Sequence, residues 1–170
     1  MQSTHLAGRN TKLKSMSKIK IISILTVVVI TGSVGYWLIS PLFLTKEVNE
    51  GVEEIVKKDD LIAGPEIIRF GTFVGADNFH QAAGTVNLLK AGEKYYIRFE
   101  NNFMVTNGPD LFVHFGKNGK YAAEARIDSL KGNIGSQNYE VPNNINPLDY
   151  NEVWIWCRSF AVPFGTAKIN

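Results

Sequence analysis

Only one cysteine, Cys157, stands in the 170 residues. An intramolecular disulfide is therefore excluded. So, within one chain, are a Cys-based zinc cluster and a Cys-only iron–sulfur centre, which need several thiolates. Residues 1–20 contain no acidic side chain, and residues 21–45 contain no charge of either sign. The chain also lacks G-x-S-x-G, P-loop, H-E-x-x-H and EF-hand patterns, and no pair of carboxylates is singled out by spacing. Hydrolytic chemistry thus has no motif to rest on. After residue 65 no helical period of any length appears, and the sequence shows neither an internal repeat nor a low-complexity stretch.

The charge that is present is unevenly placed. Five basic residues (Arg9, Lys12, Lys14, Lys18, Lys20) crowd the first 20 positions. Residues 46–170 hold the other 13 Lys and Arg against all 16 Asp and Glu, a net charge of −3. A weakly acidic domain has no electrostatic reason to bind nucleic acid. The basic tail abuts an apolar run, where anionic lipid headgroups are its partner.

That run, Ile21 to Thr45, is 25 uncharged residues long, and roughly 20 helical residues span a bilayer core. Lipid forces the β-branched Val27-Val28-Val29-Ile30 into a helix, because every backbone group must be satisfied internally. Tyr36 and Trp37 suit the far interface, and Pro41 ends or bends the helix. Basic residues precede the run, so the reading is a single-pass cell-membrane protein with residues 1–20 as a cytoplasmic tail, 21–44 spanning, and the rest extracytoplasmic. A cleaved signal peptide is the alternative, but the run is too long and Ile39-Ser40-Pro41 is a poor cleavage site. Met16 is an alternative start that leaves the topology unchanged. Gly32 and Gly35 are not spaced as the G-x-x-x-G pairing motif.

Residues 45–64 read as a juxtamembrane stalk. Val48, Val52, Ile55 and Val56 have helical spacing, so a short amphipathic helix and a solvated linker both fit. From residue 65 to 170 the pattern becomes short strands between turn residues: Ile67–Val74, Thr85–Lys90, Lys94–Glu100, Asp110–Phe115, Tyr139–Val141, Val153–Cys157, Ala161–Phe164 and Thr166–Ile169. Tyr95, Ile97 and Phe99 alternate cleanly with Tyr96, Arg98 and Glu100, as in a half-buried strand. Asp110–Phe115 and Val153–Cys157 are apolar on both faces, as central strands are. The expected fold is an all-β sandwich of seven to nine short, mainly antiparallel strands.

Several motifs in this region resemble the DM13 domain. They are Gly71-Thr72-Phe73, His80 with Gly84, Asn102-Phe103, Gly108-Pro109-Asp110-Leu111, Gly135-Ser136-Gln137-Asn138-Tyr139 with Pro142, and Val153-Trp154-Ile155-Trp156-Cys157 before Phe160. The likeness spans about residues 66–169. It implies an all-β domain, membrane-anchored or secreted, that takes part in electron transfer. The family's cysteine would act as a bare redox thiol or as a ligand to a prosthetic group such as haem. Carried over, that cysteine is Cys157, and His80 is the histidine after the first strand.

Each candidate residue also has a structural reading. Cys157 can be a redox thiol or a small buried hydrophobe. Arg158 points to the opposite face and so does not activate it. His80 is a partner for Cys157 or a loop cap after Asp77-Asn78. His114, in an apolar strand, reads as a satisfied core histidine, and Asp110 as a turn residue. Trp154 and Trp156 share the face opposite Cys157 and read as core, or as the lining of a ligand pocket. Cys157, His80, His114 and Met104 make up a blue-copper ligand set. The order argues against copper, because neither His nor Met follows Cys157. C-type haem is excluded by the absence of C-x-x-C-H; non-covalent haem and no cofactor at all are both left open. The leading function is a membrane-tethered redox module acting through Cys157 with an unidentified protein partner. The alternative is a non-enzymatic binding or adhesion module with a structural cysteine. Either is a module rather than a catalyst with its own substrate, and a lone extracytoplasmic thiol also allows a disulfide-linked dimer through Cys157.

Overall fold

The computed structural model describes residues 17–40, 44–58 and 64–170. Residues 1–16 and Pro41 lie outside the described residues, as does the Trp37 side chain. The chain divides into two compact units, Met1–Leu38 and Ile39–Asn170.

The first unit is helix α1, Lys18–Ile39. Its stretch Lys18–Tyr36 is long and apolar enough to cross a membrane, and its Ile and Val side chains are exposed along its length. Three hydroxyls within it bond back one turn: Ser23 to the Ile19 carbonyl at 3.0 Å, Thr26 to Ile22 at 2.9 Å, Thr31 to Val27 at 2.9 Å. No side-chain hydroxyl among these is left to seek water, which is what an apolar surrounding requires.

The second unit is all-β. Ten strands are seen among the described residues: β1 Glu66–Gly75, β2 Ala82–Ala83, β3 Thr85–Ala91, β4 Lys94–Phe99, β5 Met104–Val105, β6 Leu111–Lys117, β7 Lys120–Ser129, β8 Gln137–Glu140, β9 Glu152–Cys157 and β10 Val162–Lys168. Eight form one curled antiparallel sheet in the order β7-β6-β9-β10-β1-β3-β4-β8; β2 and β5 form a small ribbon. β1 is shared between two layers. Ile67 to Thr72 pair with β3, whereas Phe73 to Gly75 pair with β10. The curl brings the edge strands together, and Lys131 ties them: its N–H donates to the Tyr139 hydroxyl at 3.0 Å and its Nζ to the Asn138 carbonyl at 2.6 Å.

Period-two alternation aims one face of every long strand at the space between the layers. Val86, Leu88, Ile97, Phe99 and Tyr139 come from one side; Leu111, Val113, Phe115, Val153, Ile155 and Cys157 come from the other. Phe99 sits at the centre, 5.1 Å edge-on from Phe73, 4.4 Å from Phe103 and 5.2 Å from Tyr139 between ring centroids.

The segment read as a stalk lies against this domain. Glu47 bridges to Ile134, and the Val48 and Glu50 N–H groups donate to Ile134 and Ser136 carbonyls at 3.0 and 2.9 Å. Glu50 takes Lys131 Nζ at 2.8 Å and the Asn138 N–H at 2.7 Å. Helix α2, Glu53–Lys58, then lays Ile55 (2% exposed) onto Leu89, Ala91 and Tyr96. The Gly135–Tyr139 motif builds this dock. Gly135 has φ +90°, and a Cβ there would run into the Val48 carbonyl. Ser136 Oγ donates to the Glu50 carbonyl (2.8 Å) and Asn138 Nδ2 to that of Gly51 (2.8 Å). Gln137, fully buried, holds the 132–135 loop from within through Gly132 N–H and C=O.

Candidate functional site

Cys157 ends β9, between Leu111 on β6 and Val162 on β10. Its inward position follows from alternation with Val153 and Ile155, and it is 0% exposed within the apolar core. The next residue turns away. Arg158 donates through Nε to Asp110 Oδ2 at 2.9 Å, and its guanidinium lies 4.7 Å from the Phe112 ring centre. Asp110 thus ties the β9–β10 hairpin to the start of β6, taking Ser159 Oγ at 3.0 Å as well.

His80 closes the loop between β1 and β2. Asp77 Oδ1 accepts the N–H groups of Phe79 (2.7 Å) and His80 (2.8 Å), and its Oδ2 lies 2.7 Å from His80 Nδ1. The imidazole packs against Phe164 with centroids 4.5 Å apart. Phe164 belongs to the same core as Cys157. So the structure brings Cys157 and His80 to one end of the sheet, but no hydrogen bond or ion pair joins them among the described residues.

Hydrogen bonding to His80 holds the Asp77 carboxyl down at about 2, below the ordinary carboxylate range. The folded value is depressed, so the loop's contribution is present above the ordinary value and lost as pH falls through about 2. An NMR titration of the Asp77 carboxyl carbon is expected to show a midpoint near 2; a midpoint at the ordinary value of about 3.9 would mean the loop is not closed.

No group of three or more His, Cys, Asp or Glu that could hold a metal ion is found among the described residues. Met104 is 55% exposed on the small ribbon while Cys157 is sealed in the core, so the four residues of a copper set are not assembled. Haem does not fit the residues as packed. Cys157 faces filled core, His80 is held by Asp77, and no buried side-chain N or O among the described residues lacks a partner.

The two tryptophans lie elsewhere than the core reading expected. Trp154 and Trp156 are half-buried on the outer face of β9. Tyr121, reaching across from β7, stacks on Trp156 at 4.1 Å and 13°. The Trp154 indole lies over Gly116, where a Cβ would collide with Nε1, and that Nε1 donates to Glu152 at 3.0 Å. His114 is 3% exposed beneath, with its ring 4.7 Å from Tyr121; burial pushes its pKa down. Arg126 lies 5.3 Å from the same Phe112 ring as Arg158. His114, Tyr121, Arg126 and Arg158 line a cleft of about 440 Å³. Sequence reasoning missed Tyr121 and Arg126 because β7 was not recognised as a strand. It also missed the Glu50–Lys131–Asn138 dock, whose partners lie some 80 positions apart and leave no local signal.

Residues 72–169 match the family model described as electron transfer DM13. No curated protein and no solved structure matches the chain.

Proposed function

Because the chain belongs to the DM13 electron-transfer family, we propose that it is an electron-transfer module held at a cell membrane by α1. In this reading the N-terminus is cytoplasmic, the β domain is extracytoplasmic, and Cys157 is the redox group. The observation that carries it is the family match, which runs through Cys157 and His80. Helix α1 supports the tether, being of spanning length and exposed throughout. The concentration of basic residues before α1 supports the orientation. As a bare thiol, Cys157 works by exchange. Its thiolate attacks one sulfur of a partner's disulfide, forms a mixed disulfide, and releases the partner's other sulfur as a thiolate. His80, at the same end of the sheet, is the base proposed to take up the thiol proton when the hairpin opens.

Complete burial of Cys157 favours a second reading: a non-enzymatic binding module in which the cysteine is a packing residue and the outer aromatic cleft is the contact surface. Thiol modification separates the two. Full-length protein is mixed with a small aromatic disulfide, and the labelling rate is compared with the global unfolding rate of the same sample. The electron-transfer reading expects local opening of the β9–β10 hairpin, hence labelling much faster than unfolding. Labelling no faster than unfolding overturns it and leaves the binding module.

A further inference from the structure

Both ends of the sheet expose large apolar side chains: Phe70 at 64% and Leu148 at 43% near Asn170 at one end, and loop-tip phenylalanines at the other. The ends differ in which of them receives the incoming chain. At one end lie the β1–β2 loop, the β5–β6 loop and the β9–β10 hairpin. Strand register fixes this: Gly75 pairs with Gly165, Leu111 with Cys157, and Cys157 with Val162. Two phenylalanines project from these loops with no packing to explain them, Phe79 at 85% exposure and Phe160 at 66%. Val74, next to the first loop on the outer face of β1, is 67% exposed. The chain enters the domain at this same end. Thr45 accepts from Asn107 Nδ2 at 3.4 Å, and Lys46 C=O accepts from Asn133 N–H at 2.7 Å. Leu44, just before them, is 59% exposed.

Large apolar side chains at loop tips are costly in water and suited to the interfacial layer of a bilayer. Continuity of the chain identifies the occupant. The segment arriving at this end is the continuation of an apolar helix of spanning length. We propose that this end of the β domain rests in the interfacial layer of a lipid bilayer, with Phe79 and Phe160 inserted. The inference builds on the reading of α1 as the membrane anchor. Its charges indicate how the contact works. Arg158 is neutralised by Asp110, and Asp77 is acidic, so the end is not a polybasic patch. Insertion is apolar, and it does not require anionic lipid. The opposite end, with the β6–β7 turn at Asn118-Gly119, stays in water.

Spin labels test this in the full chain reconstituted into zwitterionic phosphatidylcholine bilayers. Labels are attached at Phe79→Cys, Phe160→Cys, Asn118→Cys and Ile30→Cys in separate samples. Every sample also carries Cys157→Ala, so that the introduced cysteine is the one thiol available to the label. Collisional accessibility to oxygen and to a neutral nickel chelate is then measured. Oxygen is expected to dominate at positions 79, 160 and 30, and the nickel chelate at 118. Oxygen at 30 with nickel chelate at both 79 and 160 overturns the docking inference alone. Nickel chelate at 30 overturns the anchor reading and the inference with it. Oxygen dominance at 79 and 160 that appears only after anionic lipid is added replaces apolar insertion with charge-driven adsorption.

Discussion

Phe99→Ala is expected to lower the unfolding free energy of the β domain by about 3–5 kcal/mol. Phe99 is 0% exposed and touches rings from three other places: Phe73 on β1, Phe103 before β5 and Tyr139 on β8. β1 is the strand that passes from one layer to the other, so the vacated space lies where the layers are joined. Neighbours held on three separate strands or loops cannot collapse into it together, which places the cost toward the upper part of the range. Domains of this size are stable by only about 5–15 kcal/mol, so the variant is expected to be marginal at 37 °C. Urea unfolding of the two proteins checks this; a loss below about 1 kcal/mol would mean the ring does not knit the layers as described.

Ile55→Ala is expected to cost about 2 kcal/mol, the lower end for deleting a buried aliphatic side chain. Its site is small, formed by Leu89, Ala91 and Tyr96 on the outer surface of β3 and β4. The interest lies in where Ile55 sits along the chain. It precedes the family-matched region by 17 residues, at position 55 against a start at 72. A solvated linker at this position would change stability by less than about 0.5 kcal/mol on truncation. Thermal unfolding of the two full-length proteins distinguishes a docked segment, with a clear loss, from a free one, with none.

β4 shows how much was legible in the sequence. The alternation of Tyr95, Ile97 and Phe99 located the strand and its inward face correctly. The other face was expected to be wet, yet Tyr96 and Arg98 are 2% and 7% exposed. The cover is residues 50–58, and Arg98 donates to the Glu50 carbonyl at 3.1 Å. Nothing local in either stretch announces that contact. β7 escaped notice for a different reason. Its inward residues are Ala122, Ala125 and Ile127, a spacing broken by register shifts against β6. A bulge destroys the period on which strand recognition depends, and alanine is a poor strand former. β10 was read as two strands, because the bulge between Pro163 and Gly165 looks like an interruption when only one chain segment is visible.

The candidate site divides in the same way. Alternation along Val153–Cys157 correctly set the cysteine and the tryptophans on opposite faces. It could not say that the outer face is only half covered, because that depends on Tyr121 arriving from β7 and on Gly116 leaving room for an indole. The packing of Cys157 was equally out of reach, being decided by Leu111 and Val162 across two strand pairings.

The most direct test of the electron-transfer claim is thiol–disulfide exchange by the full chain in a bilayer with a small aromatic disulfide, beside Cys157→Ala shown by thermal unfolding to be folded. The account predicts that the native protein releases one thiolate per chain and carries a mixed disulfide at Cys157, at a rate faster than global unfolding, and that the variant does neither. Release no faster than unfolding, or equal release by both proteins, would contradict it.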